Sequence, residues 1–243
     1  MSRPDFIAPD LSGRHVLVTG AGRGIGAAFA VALAGRGAHV HLVGRTRGPL
    51  EATAETIRIG GGEATVHLAD VADRPSVDRV AGALAASSVR LTALVNNAGI
   101  LGPVATLPDY AAAAFAEVMR VNVDGVLHVT QAMLPLMGAG ASIVNLSSGV
   151  GRVGRAGWGA YAASKFAVEG LTQVWADELT GAGIRVNALN PGGTRTAMRA
   201  AAKPDEDPMT LPTPEDVVPA LLFLLSEGGG TGTSIDARDF MSA

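Results

Sequence analysis

The sequence holds no cysteine, and only two lysines (Lys165 and Lys203) and two tyrosines (Tyr110 and Tyr161) among 243 residues. Without cysteine there is no disulfide framework, thiolate zinc site, iron–sulfur cluster or cysteine nucleophile. Basic runs are missing too, and the formal charge of −3 argues against a dedicated nucleic-acid binder. No apolar run reaches the ~18–20 residues of a membrane-spanning helix, and residues 1–6 lack the apolar segment of a signal peptide. A cytoplasmic protein that contacts neither membrane nor nucleic acid is the expectation. Glycine is abundant, at 32 residues, but disorder does not explain a hydrophobic content of 48%. The length fits one α/β domain, spanning 1–243, with a large core.

Short β-branched runs alternate with alanine-rich helical stretches. Strands are expected at 15–19, 38–43, 64–68, 91–95, 142–146 and 184–189, with a short one near 233–235. Helices are expected at 24–36, 50–59, from Pro75 onward, 110–137, 158–180 and 214–226. Strands that are apolar on both faces and alternate with helices imply a parallel sheet covered on both sides. The fold class is therefore α/β, a doubly wound Rossmann arrangement with a mostly parallel, seven-stranded sheet. Residues 192–214 form a long connection after a strand, where ligands bind in such sheets, and read as a substrate-binding lid. Asp205, Glu206 and Asp207 within it read as solvated acids.

The first strand runs directly into Thr19-Gly-Ala-Gly-Arg-Gly-Ile-Gly26, which opens the first helix. Glycines there allow a tight turn and close backbone approach to a pyrophosphate, and the helix N-terminus offers free N–H groups. At the end of the second strand a carboxylate would bind the ribose 2′-OH of NAD, whereas arginine suits the 2′-phosphate of NADP. This chain has Val43-Gly-Arg-Thr46 and no carboxylate. Arg45 is the first candidate for the phosphate, Arg23 in the glycine turn a second, and Arg47 a third. NADP(H) is expected in preference to NAD(H).

Tyr161 and Lys165 stand four residues apart in a helical stretch, so they share one face. With two of each residue type in the chain, chance yields such a pair with odds below about 2%. A phenol is a poor base at neutral pH, and a nearby cation is expected to lower its pKa. The protonated phenol can donate to a carbonyl oxygen as it becomes an alkoxide. Upstream, Ser147 and Ser148 end the fifth strand, and either hydroxyl could hold a substrate oxygen. Trp158 lies near Tyr161 and either lines the pocket or seals the helix start, while Trp175 reads as core or interface. The histidines at 15, 39, 41, 67 and 128 show no metal-ligand spacing; His39 and His41 read as partly exposed strand residues, and no metal is expected.

Taken together and in order, these motifs resemble those of the classical short-chain dehydrogenases/reductases, over nearly the whole chain. Gly20, Arg23, Gly24, Ile25 and Gly26 match the family's cofactor turn. Asp70 and Val71 match the pair that contacts adenine, and Asp70 otherwise reads as a helix N-cap. Asn97, Ala98 and Gly99 match the strand-four motif at the cofactor floor, and Pro191, Gly192, Thr194 and Thr196 the segment beside the nicotinamide. Thr194 departs from the aliphatic residue usual there. Asn122, Ser148, Tyr161 and Lys165 match the catalytic tetrad, and the Ser-to-Tyr interval selects Ser148.

The resemblance implies that Tyr161 is the acid/base and that Lys165 lowers its pKa and bonds the nicotinamide ribose. It further implies that Ser148 polarises the substrate oxygen, and that Asn122 holds a water linking Lys165 to solvent. The blocks Gly159–Phe166 and Asn190–Arg199 are similar to those of a bacterial subgroup whose members are mostly reductases without an assigned substrate. The activity implied is hydride transfer between NADP(H) and a small carbonyl or alcohol, in a homo-oligomer (tetramer or dimer). The apolar residues near Ile100, Leu101, Gly149, Val150 and Trp158 suggest a hydrophobic or aromatic carbonyl compound. A non-catalytic NADP(H)-sensing protein is the alternative, disfavoured because all four tetrad positions are filled. An epimerase or dehydratase of the extended family is disfavoured by the glycine spacing and by the lack of room for a substrate domain.

Overall fold

The computed structural model describes residues 6–241. The elements run β1 (His15–Thr19), α1 (Gly24–Ala34), β2 (His39–Gly44), α2 (Arg47–Ile59), β3 (Glu63–Leu68), α3 (Arg74–Ala86), β4 (Leu91–Asn96) and α4 (Ala112–Met119). They continue with α5 (Gly125–Met133), β5 (Met137–Leu146), α6 (Gly159–Glu178), β6 (Arg185–Asn190), α7 (Ala197–Ala202), α8 (Val218–Leu225) and β7 (Ser234–Asp236). All seven strands pair in parallel, in the order β3-β2-β1-β4-β5-β6-β7. The direction of winding reverses between β1 and β4, which opens a crevice at the strand C-termini.

Alternation along each strand feeds two cores. Val16 and Val18 of β1 pack with Phe29 and Leu33 of α1, Leu50 of α2 and Leu221 of α8 on one face. Leu17 faces the other way, toward Val80 of α3, Val129 of α5 and Trp175 of α6. Burial of both faces explains why the strands read as continuous apolar runs. Trp175 is a core residue, as one of the two readings had it.

Several boundaries differ from expectation, the larger differences being these. The helix read over 110–137 is interrupted by a π-helical turn at Arg120–Asp124 and ends in a 3-10 turn at Leu134–Leu136. Pro135 in that turn cannot continue the helix ladder. Strand β5 begins at Met137, five residues early, and its register against β4 shifts between Leu91, which pairs with Met137, and Ala93, which pairs with Ser142. Helix α1 stops at Ala34, where Gly35 takes the C-cap position. Residues 192–214 are not a structureless connection. They contain α7, capped by Thr196 through the Arg199 amide at 3.2 Å. Arg195 ties the segment together by donating to Pro208 O (2.8 Å) and Leu211 O (3.2 Å). Of the three acids read as solvated, Glu206 forms a two-bond ion pair with Arg199, and Asp207 caps the turn Pro208–Thr210 through the Met209 amide at 2.8 Å.

The histidines form a row on one face of the sheet. His41 is buried, at 3% exposure, contrary to the reading of a partly exposed residue. Pairing of β2 between β1 and β3 brings His15 and His67 against it. The rings bond one another, His15 Nδ1 to His41 Nε2 at 3.1 Å and His41 Nδ1 to His67 Nε2 at 3.0 Å, rather than converging on one point. Burial pushes His41 down to about 3, with further lowering by the neighbouring imidazoles.

Candidate active site

The glycine turn closes against the far side of the switch point. Gly20 and Gly24 have φ of +65° and +55°, a region that side chains beyond glycine rarely enter. A Cβ at Gly26 would stand 2.4 Å from both Asn97 Nδ2 and Gly20 O, so the turn and β4 meet only because position 26 has no side chain. Asn97 fastens this junction, donating from Nδ2 to Thr19 O (2.9 Å) and Gly20 O (3.2 Å). Thr19 Oγ1 accepts from the amides of Asn97 and Ala98, each at 3.0 Å. Asn97 and Ala98 therefore shape the turn. Thr196 approaches from the opposite end of the chain, with Cγ2 3.4 Å from where a Gly24 Cβ would be.

This cradle suits a dinucleotide. Helix α1 starts without a side-chain cap and without an acidic residue in its first turn, leaving its leading N–H groups open toward an anion. Arg23 and Arg45 are exposed and make no side-chain hydrogen bond or ion pair with another described residue. Arg47 differs, since it pairs with Glu51 at 3.2 Å. At the end of β3, Asp70 Oδ1 accepts from the Ala72 amide at 3.0 Å, which fixes the carboxylate at the crevice. The N-cap of α3 is Asp73, not Asp70. Val71 packs against Gly125, where a Cβ would come within 2.7 Å of Val71 Cγ2. Arg120, held by Glu117 at 2.8 and 2.9 Å, projects its charge toward Asp70 and was not singled out by sequence.

The tetrad residues converge from three elements. Asn122 lies in the π-helical turn, fully buried. Its amide accepts from Ile100 N (2.8 Å) and donates to Ile100 O (2.9 Å) and Ser164 Oγ (3.0 Å). Both amide hydrogens and one acceptor site of the side chain are thus taken by protein partners. A Cβ at Gly99 would sit 3.2 Å from Asn122 Oδ1 and 3.9 Å from Lys165 Nζ, so glycine there keeps the gap between them open. Ser148 follows β5, its hydroxyl beside the Tyr161 phenol. Lys165 is buried, donates to Leu146 O at 2.6 Å and holds Nζ 5.6 Å above the Tyr161 ring centroid.

The phenol is not lowered. Burial pushes Tyr161 up to about 12, and the Ser148 hydroxyl offsets this only in part. Helical spacing placed the lysine on the correct face, but its ammonium lies over the ring and is bonded to Leu146 O. Burial also lowers Lys165 to about 8, with the carboxylate of Glu169 acting in the opposite direction. Trp158 stacks obliquely on Tyr161, with ring centroids 5.9 Å apart, and bridges to Ala105. Pro191 and Gly192 follow β6, with the Gly192 amide bonded to Asn190 Oδ1 at 3.0 Å. Thr194 is buried and returns its hydroxyl to Pro191 O at 3.1 Å, which accommodates a polar group where an aliphatic one is usual.

A family model for short chain dehydrogenase matches residues 14–207. The chain belongs to this family. It is 43% identical over 235 residues to the uncharacterized oxidoreductase YciK of Escherichia coli K12, covering 94% of this chain and 93% of that one. A short chain dehydrogenase from Shigella flexneri 2a, solved with NADP, superposes with a TM-score of 0.91 at 42% identity, covering 96% of this chain and all of that one. A short chain dehydrogenase from Escherichia coli CFT073, solved with NADPH, gives 0.88 at 43% identity, over 94% and 98% of the two chains. The short-chain dehydrogenase described here is accordingly an oxidoreductase of the hydride-transfer type.

Proposed function

We propose that the protein is a cytoplasmic, NADPH-preferring carbonyl reductase, with alcohol oxidation as the reverse reaction, and that Tyr161 is its general acid/base. The observation that carries the reading is the meeting of Ser148, Tyr161 and Lys165 beside the glycine cradle, with two arginines free at its rim. NADP and NADPH in the related Shigella and Escherichia structures support the cofactor class. Arg23 and Arg45 take the 2′-phosphate, and the open N-terminus of α1 takes the pyrophosphate. Gly20, Gly24, Ile25 and Gly26 allow close approach, Asp70 and Val71 flank the adenine, and Gly99, Pro191, Gly192, Thr194 and Thr196 border the nicotinamide end.

When bound, the cofactor supplies the hydride that reduces the carbonyl carbon. The protein's own residues manage the oxygen. Ser148 orients it, and Tyr161, protonated at neutral pH because burial holds it near 12, gives it the proton. Lys165 keeps a cation beside the phenol and reaches the ribose, and the backbone at Asn122 carries the water that reconnects Lys165 to solvent. The segment 192–214 acts as the lid. Val104, Leu107, Val153 and Met209 are all more than half exposed near this cleft or on its lid segment, which favours an apolar carbonyl compound. Exposed Phe166 and Val174 on α6 suit a contact between copies in a homo-oligomer.

A panel of ketones and aldehydes, followed by NADPH absorbance, tests the reaction. Tyr161→Phe is expected to lower kcat by roughly 10²–10⁴-fold while NADPH still binds. A Phe variant at the wild-type rate overturns the assignment, and equal or tighter binding of NADH than NADPH overturns the cofactor preference.

A further inference from the structure

Helix α6 carries a third polar residue on the face that holds Tyr161 and Lys165. Glu169 lies one turn beyond Lys165 and is 8% exposed. Its Oε1 accepts from Ser147 Oγ at 2.5 Å, Ser234 Oγ at 2.8 Å and Arg152 Nε at 3.4 Å. Arg152 spans onward to Asp236, with Nη1 at 3.2 Å from both carboxylate oxygens, and to Ser234 Oγ at 2.6 Å. Asp236 in turn accepts from Asn190 Nδ2 at 2.5 Å, immediately before Pro191. Glu169 thereby joins the turn after β5, the middle of α6 and β7, and through Arg152 and Asp236 the network extends to the end of β6.

We propose that Glu169 is a positioning residue for the reduction site, fastening the Ser147–Ser148 turn to α6 and holding a negative charge one helical turn from Lys165. This rests on the reading of Tyr161, Lys165 and Ser148 as the reacting group. The geometry of the turn explains the first role. Ser147 and Ser148 are adjacent, so the bond that holds Ser147 also limits where the Ser148 hydroxyl can stand. Gly151, in the same turn, lies so close to α6 that a Cβ would come within 2.9 Å of Lys165 backbone C, so the turn and helix are already in contact and Glu169 fixes their register. Charge explains the second role. The titratable groups around the pair are Tyr161 on the same helix, Arg152 from the turn and Asp236 from β7. Glu169 is the charged group acting on Lys165, favouring its ammonium against burial. Ser147, bonded to Glu169 and adjacent to Ser148, is thus the link between the two roles.

Two lysines in the whole chain make the test direct. With ¹³C-labelled lysine the protein shows two side-chain resonances, and Lys165→Arg identifies which belongs to Lys165. In Glu169→Gln, which keeps the shape and removes the charge, the Lys165 titration is expected to move down by roughly 0.5–1 unit. The alkaline limb of kcat/KM should move with it. In Ser147→Ala, which keeps the charge and cuts the tether, kcat should fall roughly tenfold with the Lys165 titration unmoved and the KM for NADPH within about twofold. Thermal unfolding of both variants confirms that each is folded. Unchanged Lys165 titration in Glu169→Gln, together with wild-type kcat in Ser147→Ala, overturns the inference. If Tyr161→Phe keeps its rate while Glu169→Gln still shifts Lys165, the reading of the reacting tyrosine has failed and the electrostatic role of Glu169 stands.

Discussion

Gly26 shows how much of the site depends on the lack of one methyl group. Its missing Cβ leaves room for Asn97 Nδ2 and Gly20 O, which would otherwise be 2.4 Å away. Both obstacles are held in place, one by two hydrogen bonds and one by the backbone of the turn. Gly26→Ala is therefore expected to destabilise the fold by about 1–3 kcal/mol and to weaken NADPH binding at least tenfold, as read by denaturant unfolding and cofactor titration. An alanine variant that binds NADPH like wild type contradicts the clamp. At this scale the sequence was informative about position and poor about environment. The spacing of Tyr161 and Lys165 located them on one face, yet the direction of the phenol's shift came out opposite to expectation, because spacing says nothing about burial or about the Leu146 carbonyl that takes the ammonium. Glu169 was legible in principle, as the next step of the same four-residue spacing, but its partners come from residues 147, 152 and 234 and only folding brings them together.

Among the elements, strand alternation was read closely and helix interruptions were not. The strands announced themselves by β-branched residues between glycine-rich breaks, and all seven are present within a few residues of their expected places. The π-helical turn at Arg120–Asp124 was invisible because Arg-Val-Asn-Val-Asp holds no proline or glycine to mark a break, and the extra residue is accommodated by hydrogen bonding rather than by composition. That turn aims Asn122 at Ile100 and Ser164. The row of histidines across β1, β2 and β3 is likewise a product of register. It carries an acid sensitivity. His41 is held near 3 in the folded protein, below the ~6.5 of an unfolded chain, so the unfolded state binds the extra proton between those values. The stability due to neutral His41 is whole above pH ~6.5 and declines as the pH falls toward 3. His15 and His67 are lowered as well, which adds to the same trend. Urea midpoints measured at pH 8, 6 and 4.5 should fall steadily, and His41→Leu should flatten that fall. Identical slopes in the two proteins would remove His41 as the cause.

For the molecule as a whole, the cofactor cradle lies across the seam between β1 and β4 and is closed by Thr196 from beyond β6. A ligand bound there holds both halves of the sheet. NADPH at a hundredfold its Kd should add about 2.7 kcal/mol to stability, a rise of roughly 5–10 °C in Tm for a chain of this size. Calorimetry with and without NADPH measures it, and no rise would show that the cradle does not select the folded state. The doubly wound class followed from alternation of strands and helices, while the strand order needed the structure. That order also has a meaning during synthesis. β1 is an interior strand whose inner neighbour, β4, lies more than seventy residues further along. Translation at about 5–20 residues per second leaves one edge of the nascent β1 unpaired for several seconds, while β2, α1 and α2 are already made and can cover the rest. Until β4 emerges, that edge presents free backbone N–H and C=O groups on which a second nascent chain could pair.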